Sequence, residues 1–338
     1  MKCPNPTCDY TPEPSDWCCE VCGTRLNPAD GAIVSANGVP VLHGTTAVPA
    51  PLALQPEGTS KRVCSCGSSS FDVLGYCDEC GKKFESRPEP QLLEIGRTLA
   101  SASDIGMKHH VNQDAALVSK LPNGDYFLAI ADGVSTAENS EDASKLATTA
   151  ILDYVKRNSG GHPAEVLPKA IMFADDAIRG LPYSGGSELA EPQATVVTAI
   201  VRERQVWIGW VGDSRAYELG SRNKLLTVDD SWYVSAMASG MSREEALADR
   251  RAHAITQCLG MRDEQAEPHV AEYELADGAS LLLCTDGLWN YYEDPAALAG
   301  LMVDGPTDDS ALQIVQRFVA RANRAGGRDN ISAAFLKA

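Results

Sequence analysis

The chain has 338 residues, an ordinary globular composition and a formal net charge of −17. That acidity argues against nucleic acid and against anionic membranes as bulk partners. The absence of an apolar run of about 18 residues argues against a membrane-spanning helix.

The amino-terminal MKCPNPTCDY has no apolar signal-peptide core, so a cytoplasmic location is expected. Cysteines there stay reduced, which turns clustered cysteines toward metal rather than disulfide. Residues 1–91 carry 7 basic and 11 acidic side chains, and residues 92–338 carry 22 and 35. Both parts are therefore acidic, a balance that suits divalent cations.

Nine of the 11 cysteines fall in residues 1–80. They form two clusters on one plan. Two cysteines lie close together, ten residues intervene, and C-x-x-C-G follows, as CEVCG and CDECG. This is an internal repeat of a small module. The C-x-x-C-G turn aims two thiolates at one ion, and two such turns close a tetrahedral site. Modules this short cannot bury a sufficient core, so bound metal must supply folding energy. The expected zinc ligands are Cys3, Cys8, Cys19 and Cys22 in the first, and Cys64, Cys66, Cys77 and Cys80 in the second. Cys18 competes with Cys19, and the C-x-x-C spacing favours Cys19. Redox dithiols and a four-thiolate iron site are the chemical alternatives. Two structural zinc ions are expected.

The organisation that follows is a ribbon at 1–26, a Pro/Ala/Gly/Ser-rich linker at 27–60, and a second ribbon at 61–84. A short linker at 85–91 then leads to one large domain at 92–338. Within that domain, apolar strand-like runs occur at 93–99, 114–119, 126–131, 193–202, 205–212, 214–219, 271–276, 280–285 and 331–336. Short turns such as LPNGDY and ADGAS join several of them as hairpins. Helical periodicity covers 138–157, 163–180, 294–302 and 308–324. Hairpins outnumber strand–helix–strand units, which predicts antiparallel sheets covered by helices. Residues 229–264 break the pattern. They read as a charged helical insert, a candidate flap over a site.

Four aspartates border apolar runs: Asp132 after YFLAIA, Asp213 after VWIGWVG, Asp286 after SLLLCT, and Asp329 ahead of ISAAFL. A charge at the tip of a buried strand is costly. Four together suggest strands that deliver carboxylates to one spot, where a cation must hold them. Oxygen ligands alone select a hard metal.

The segment from about 100 to 337 resembles the metal-dependent type 2C serine/threonine protein phosphatases, in a bacterial form with amino-terminal zinc ribbons. The matching pieces run in series: SDIGMKHHVNQDA, FLAIADGVS, ATVVTAIV, WVGDSRAYEL, LTVDDS, AITQCLG, LLLCTDGLWNYY and GGRDNISAAFL. The resemblance implies a four-layer αββα sandwich, α+β in class, with two antiparallel sheets flanked by helices. It implies that Asp132, the Gly133 carbonyl, Asp286 and Asp329 hold two Mg²⁺ or Mn²⁺ ions. Asp213 would bind a third with Asp286, and Asp114 would orient water. Hydrolysis of phosphoserine and phosphothreonine in proteins is the activity implied, with a serine/threonine kinase and its targets as partners.

Three positions depart from the family pattern. An arginine five residues before Asp114 is His109 here, flanked by Lys108 and His110. Histidine offers no planar fork for phosphate, and Lys108 is a candidate to restore the charge. Gln113 stands where the family usually has glutamate. Val134 stands where some members carry a general-acid histidine, which leaves a metal-bound water or His109 as the candidate proton donor. His109 and His110 read equally as a surface loop pair. Turn-forming roles compete for Asp213, and a loop-edge role for Asp114. The alternative function is a catalytically weak phosphatase-like protein that binds partners through its ribbons. Few basic residues lie in the ribbons, so protein contact is favoured there over nucleic acid.

Overall fold

The computed structural model describes residues 66, 68–70, 76–81, 87–185, 190–252 and 254–338. The chain divides into two compact units, Met1–Phe84 and Glu85–Ala338. The first ribbon, the linker at 27–60 and Cys64 lie outside the described residues.

The second unit opens with strands β1 (Gln91–Ile95), β2 (Leu99–Asp104), β3 (Asp114–Lys120) and β4 (Tyr126–Gly133). Helices α1 (Ser140–Arg157) and α2 (Pro163–Arg179) follow, then β5 (Ala194–Arg202), β6 (Gln205–Val211), β7 (Arg215–Leu219) and β8 (Lys224–Leu225). The insert carries two short helices, α3 (Trp232–Ala238) and α4 (Arg243–Ala248). The chain closes with β9 (His269–Glu274), β10 (Ser280–Cys284), α5 (Asp286–Trp289), α6 (Pro295–Val303), α7 (Ala311–Ala325) and β11 (Ile331–Leu336).

The strands form two sheets, ordered β1-β2-β11-β10-β7-β8 and β3-β4-β5-β6-β9. Every pairing in both is antiparallel. Three apolar clusters fill the three spaces between four layers. Phe127, Ala129 and Ala131 of β4 pack with Leu167 and Ile171 of α2 and Ile151 of α1. Leu128 and Ile130, one residue out of phase, pack with Leu281 and Leu283 across the sandwich. Leu282 and Phe335 meet Phe318 and Val315 of α7 on the far side. Side chains that alternate along a strand explain this division. The architecture is the expected αββα sandwich.

Local sequence sets the helix ends. Pro163 and Pro295 open α2 and α6 just inside the first turn, where no N–H partner is lost. Ser310 and Gln313 cap α7 reciprocally, as Ser242 and Glu245 cap α4. The expected strand at 93–99 is instead the end of β1, a turn and the first residue of β2. Gly96 has φ 60°, a left-handed backbone that lets the chain reverse there.

Candidate active site

Strand parity brings the carboxylates to one place. Asp132 continues the row of Leu128 and Ile130, so it points into the space between the sheets at the end of β4. Asp114 is its register partner on β3 and shares the parity of Val118, which packs in the same space. Asp286 follows β10 as the first residue of α5. Asp213 follows β6, and Asp329 precedes β11. Three of these carboxylates, Asp213, Asp286 and Asp329, line a cavity of about 550 Å³.

The supporting loops are locked by close approach. Gly106 has φ +75°, and a Cβ there would overlap the Asp329 carbonyl oxygen. A Cβ on Gly287 would overlap the Asn330 carbonyl oxygen. Asn330 is buried and ties the start of β11 to the segment 105–113. Its Nδ2 donates to the Ile105 and Val111 carbonyls at 2.9 and 3.1 Å, and its Oδ1 accepts from Gln113 N at 2.8 Å. Gln113 passes the link onward: its carbonyl accepts from Gly133 N at 3.0 Å, and its amide donates to Ser140 Oγ. Gln113 thus braces the Asp132–Gly133 loop rather than approaching the carboxylates as an anion.

Asp114 is buried. Its Oδ2 accepts from Thr285 Oγ1 at 2.9 Å, while Oδ1 has no hydrogen-bond partner among the described residues. Thr285 Oγ1 in turn accepts from Ser332 N at 3.1 Å. Asp286 Oδ2 accepts from Asn290 Nδ2 at 3.1 Å, and its Oδ1 is also buried and unpartnered. Trp289 Nε1 donates to the Asp213 carbonyl at 3.0 Å and fixes that loop. Arg215 stacks over the Trp289 ring, 3.5 Å from its centroid, and forks onto Asp229 at 2.7–3.1 Å.

The electrostatics are those of crowded anions. Burial, then the neighbouring Asp286 and Asp329 charges, pushes Asp114 up to about 8 against the hydrogen bonds from Ser332 and Thr285. Burial and the Asp286 charge push Asp213 up to about 7. Burial and the Asp329 charge push Asp286 up to about 6. Asp132 is driven well above the carboxylate range by burial and by all four other aspartates. None of Asp114, Asp132, Asp213 and Asp286 has an ion pair with a basic side chain among the described residues. Two orphaned carboxylate oxygens and this mutual repulsion fit a hard divalent cation.

His109 Nε2 lies 3.4 Å from Asp329 Oδ1. His110 and Lys108 are exposed. Neither Lys108 nor His109 lines the cavity. The insert does: Ser231, Tyr233, Arg243, Leu247 and Ala252 form part of its wall. The charge density of the insert hinted at such a role, but no periodicity in it singled out Arg243. The bracing residues Asn330, Thr285 and Ser332 also escaped the sequence reading. They are small and polar, and only their hydrogen bonds across the fold show what they do.

In the first unit, the sulfurs of Cys66, Cys77 and Cys80 lie within 4.8 Å of one another. Cys77 is buried, and its carbonyl accepts from Gly81 N at 2.8 Å, closing the expected turn.

The chain is 28% identical over 238 residues to the serine/threonine phosphatase stp of Listeria monocytogenes, covering 68% of this chain and 91% of that one. The phosphatase MsPP of Mycobacterium smegmatis, solved in complex with cacodylate, superposes with a TM-score of 0.59 at 25% identity. That match covers 71% of this chain and 97% of the other. The catalytic domain of the serine/threonine protein phosphatase PstP, solved with two manganese ions, shares the fold with a TM-score of 0.56 at 22% identity. It covers 71% of this chain and 96% of that one. A family profile described as protein phosphatase 2C spans residues 107–330, a stretch that runs from the loop before Asp114 to the bracing Asn330, and the chain belongs to that family.

Proposed function

We propose that the second unit hydrolyses phosphoserine and phosphothreonine in proteins. The carrying observation is the set of carboxylates at one end of the inter-sheet space; among the described residues, two have buried, unpartnered oxygens and none has a basic ion-pair partner except Asp329 beside His109. Asp132, the Gly133 carbonyl, Asp286 and Asp329 would hold two Mg²⁺ or Mn²⁺ ions, and Asp213 with Asp286 a third. Adjacent divalent ions supply a water of low pKa and neutralise phosphoryl oxygens.

The chain's own residues do the rest. Asp114 presents Oδ1 while Thr285 fixes Oδ2, so one oxygen is oriented to accept a water proton. Trp289 and Arg215 hold the Asp213 loop in place. His109 beside Asp329 is the titratable group left to carry a proton to the departing seryl or threonyl oxygen. A thiol nucleophile is disfavoured: burial pushes Cys258 up to about 12 and Cys284 higher still.

The test is hydrolysis of p-nitrophenyl phosphate with Mn²⁺ by wild type and by Asp132→Ala. Loss of at least about 100-fold in kcat is expected for the variant. A wild type no faster than the variant, with metal shown bound, favours the weak, ribbon-mediated binding protein instead.

The ribbons read as structural zinc modules, supported by the Cys66, Cys77 and Cys80 sulfurs and completed by Cys64. The repeat extends this to Cys3, Cys8, Cys19 and Cys22. Elemental analysis should find about two zinc ions per chain. A cytoplasmic signalling role opposite a serine/threonine kinase follows from the activity and the cysteine chemistry. No helix among the described residues is long and apolar enough to cross a membrane.

A further inference from the structure

The position expected to grip the substrate phosphate is weakly equipped. His109 faces Asp329, and neither it nor Lys108 borders the cavity. A phosphoryl dianion entering beside several carboxylates still needs a fork-shaped donor to fix its oxygens.

Among the described residues, three arginines line the cavity: Arg215, Arg243 and Arg328. Arg215 is committed, bidentate to Asp229 and stacked on Trp289. Arg328 flanks Asp329 in the chain, and its backbone N is held by Tyr291 Oη at 2.9 Å. It therefore belongs to the same loop as the carboxylates. Arg243 comes from the insert, on a different segment of wall. It is the first residue of α4, whose start is set by the reciprocal Ser242–Glu245 cap. Glu245 on the same helix is engaged with Ser242. Among the described residues, Arg243 itself has no ion pair or side-chain hydrogen bond, although carboxylates line the same cavity.

Resting on the phosphatase reading above, we propose that Arg243 binds the substrate phosphoryl group, replacing the donor this chain lacks at His109. The insert thereby becomes part of the phosphate site rather than a surface ornament. A charge-assisted fork of this kind is worth about tenfold or more in affinity.

The test uses the full chain with Mg²⁺. Calorimetric binding of inorganic phosphate is measured beside kcat and KM for p-nitrophenyl phosphate and for a phosphothreonine peptide. Arg243→Ala should weaken phosphate binding and raise both KM values about tenfold, with kcat changed less than about threefold. Arg243→Lys, which keeps charge and loses the fork, should fall between. Arg250→Ala, exposed on the same insert and absent from the cavity wall, should match wild type. Equal phosphate binding by wild type and Arg243→Ala overturns the assignment whatever the rates. So does a KM change confined to the peptide, which would make Arg243 a reader of flanking residues. So does a shift produced by Arg328→Ala and not by Arg243→Ala. A wild type that hydrolyses neither ester, yet binds phosphate through Arg243, removes the catalytic reading and leaves this assignment standing.

Discussion

Asn330 shows how one side chain can hold a whole loop beside a charged site. It satisfies two backbone carbonyls and one backbone N–H, all from the segment 105–113 that leads into β3. Asn330→Ala would leave those groups buried without partners, at about 1–3 kcal/mol for each group that water cannot reach. A Tm lower by at least about 4 °C is expected in a thermal melt. Asn330→Asp should melt lower still, because it replaces the donor to two carbonyls with an acceptor and adds charge beside Asp329. Equal melts for Asn330→Asp and Asn330→Ala would mean that the added charge costs nothing there. At the neighbouring position, Thr285→Val removes the hydrogen bond that Thr285 Oγ1 donates to Asp114 Oδ2. It should lower kcat while leaving KM within about twofold, as a residue acting through Asp114 would. A change in KM alone would contradict that role.

Strands and helices were legible in the sequence where one face was apolar. The runs at 114–119, 126–131 and 331–336 fall on β3, β4 and β11 to within two residues, because alternating burial leaves a strong pattern there. The two-residue β8 and the single-turn α5 left no periodicity to detect. The aspartates were visible as charges at strand tips, but the pairing of Asp114 with Asp132 needed the β3–β4 register. The role of Arg87 was hidden as well, since it lies in a Pro-flanked stretch that reads as linker. Its guanidinium pairs with the buried Asp104 and contacts Met107 Sδ. Asp104 also accepts from Gly106 N and Asn323 Nδ2, so the stretch before β1 is tied to the loop under Asp329. A chain beginning at residue 92 should therefore melt about 2–4 °C below one beginning at residue 85. Arg87→Met in the longer chain should reproduce most of that loss. Identical melts for both lengths would show that Arg87 contributes nothing net.

At the scale of the whole second unit, the carboxylate cluster couples stability, protons and metal. Unfolded aspartates titrate near 3.9, whereas folded Asp286, Asp213 and Asp114 titrate at about 6, 7 and 8. Between those limits the metal-free folded unit holds more protons than the unfolded chain. Stability from these groups is thus full below pH of about 4 and is lost as pH rises toward about 8. Other acidic groups, paired at the surface, work in the opposite sense but are finished titrating by about pH 5. A divalent cation replaces the protons, so its binding releases them and tightens with pH. Chelator-treated protein should lose at least about 5 °C in Tm between pH 5.5 and 8. Protein saturated with Mg²⁺ should hold its Tm or gain over the same range. Calorimetry of Mg²⁺ binding at pH 7 in buffers of different ionisation enthalpy should register proton release. Parallel Tm slopes with and without cation, together with no proton release, would mean that the carboxylates are already ionised in the empty site. The metal would then have no repulsion to relieve, and the electrostatic argument that assigns these aspartates to it would fail.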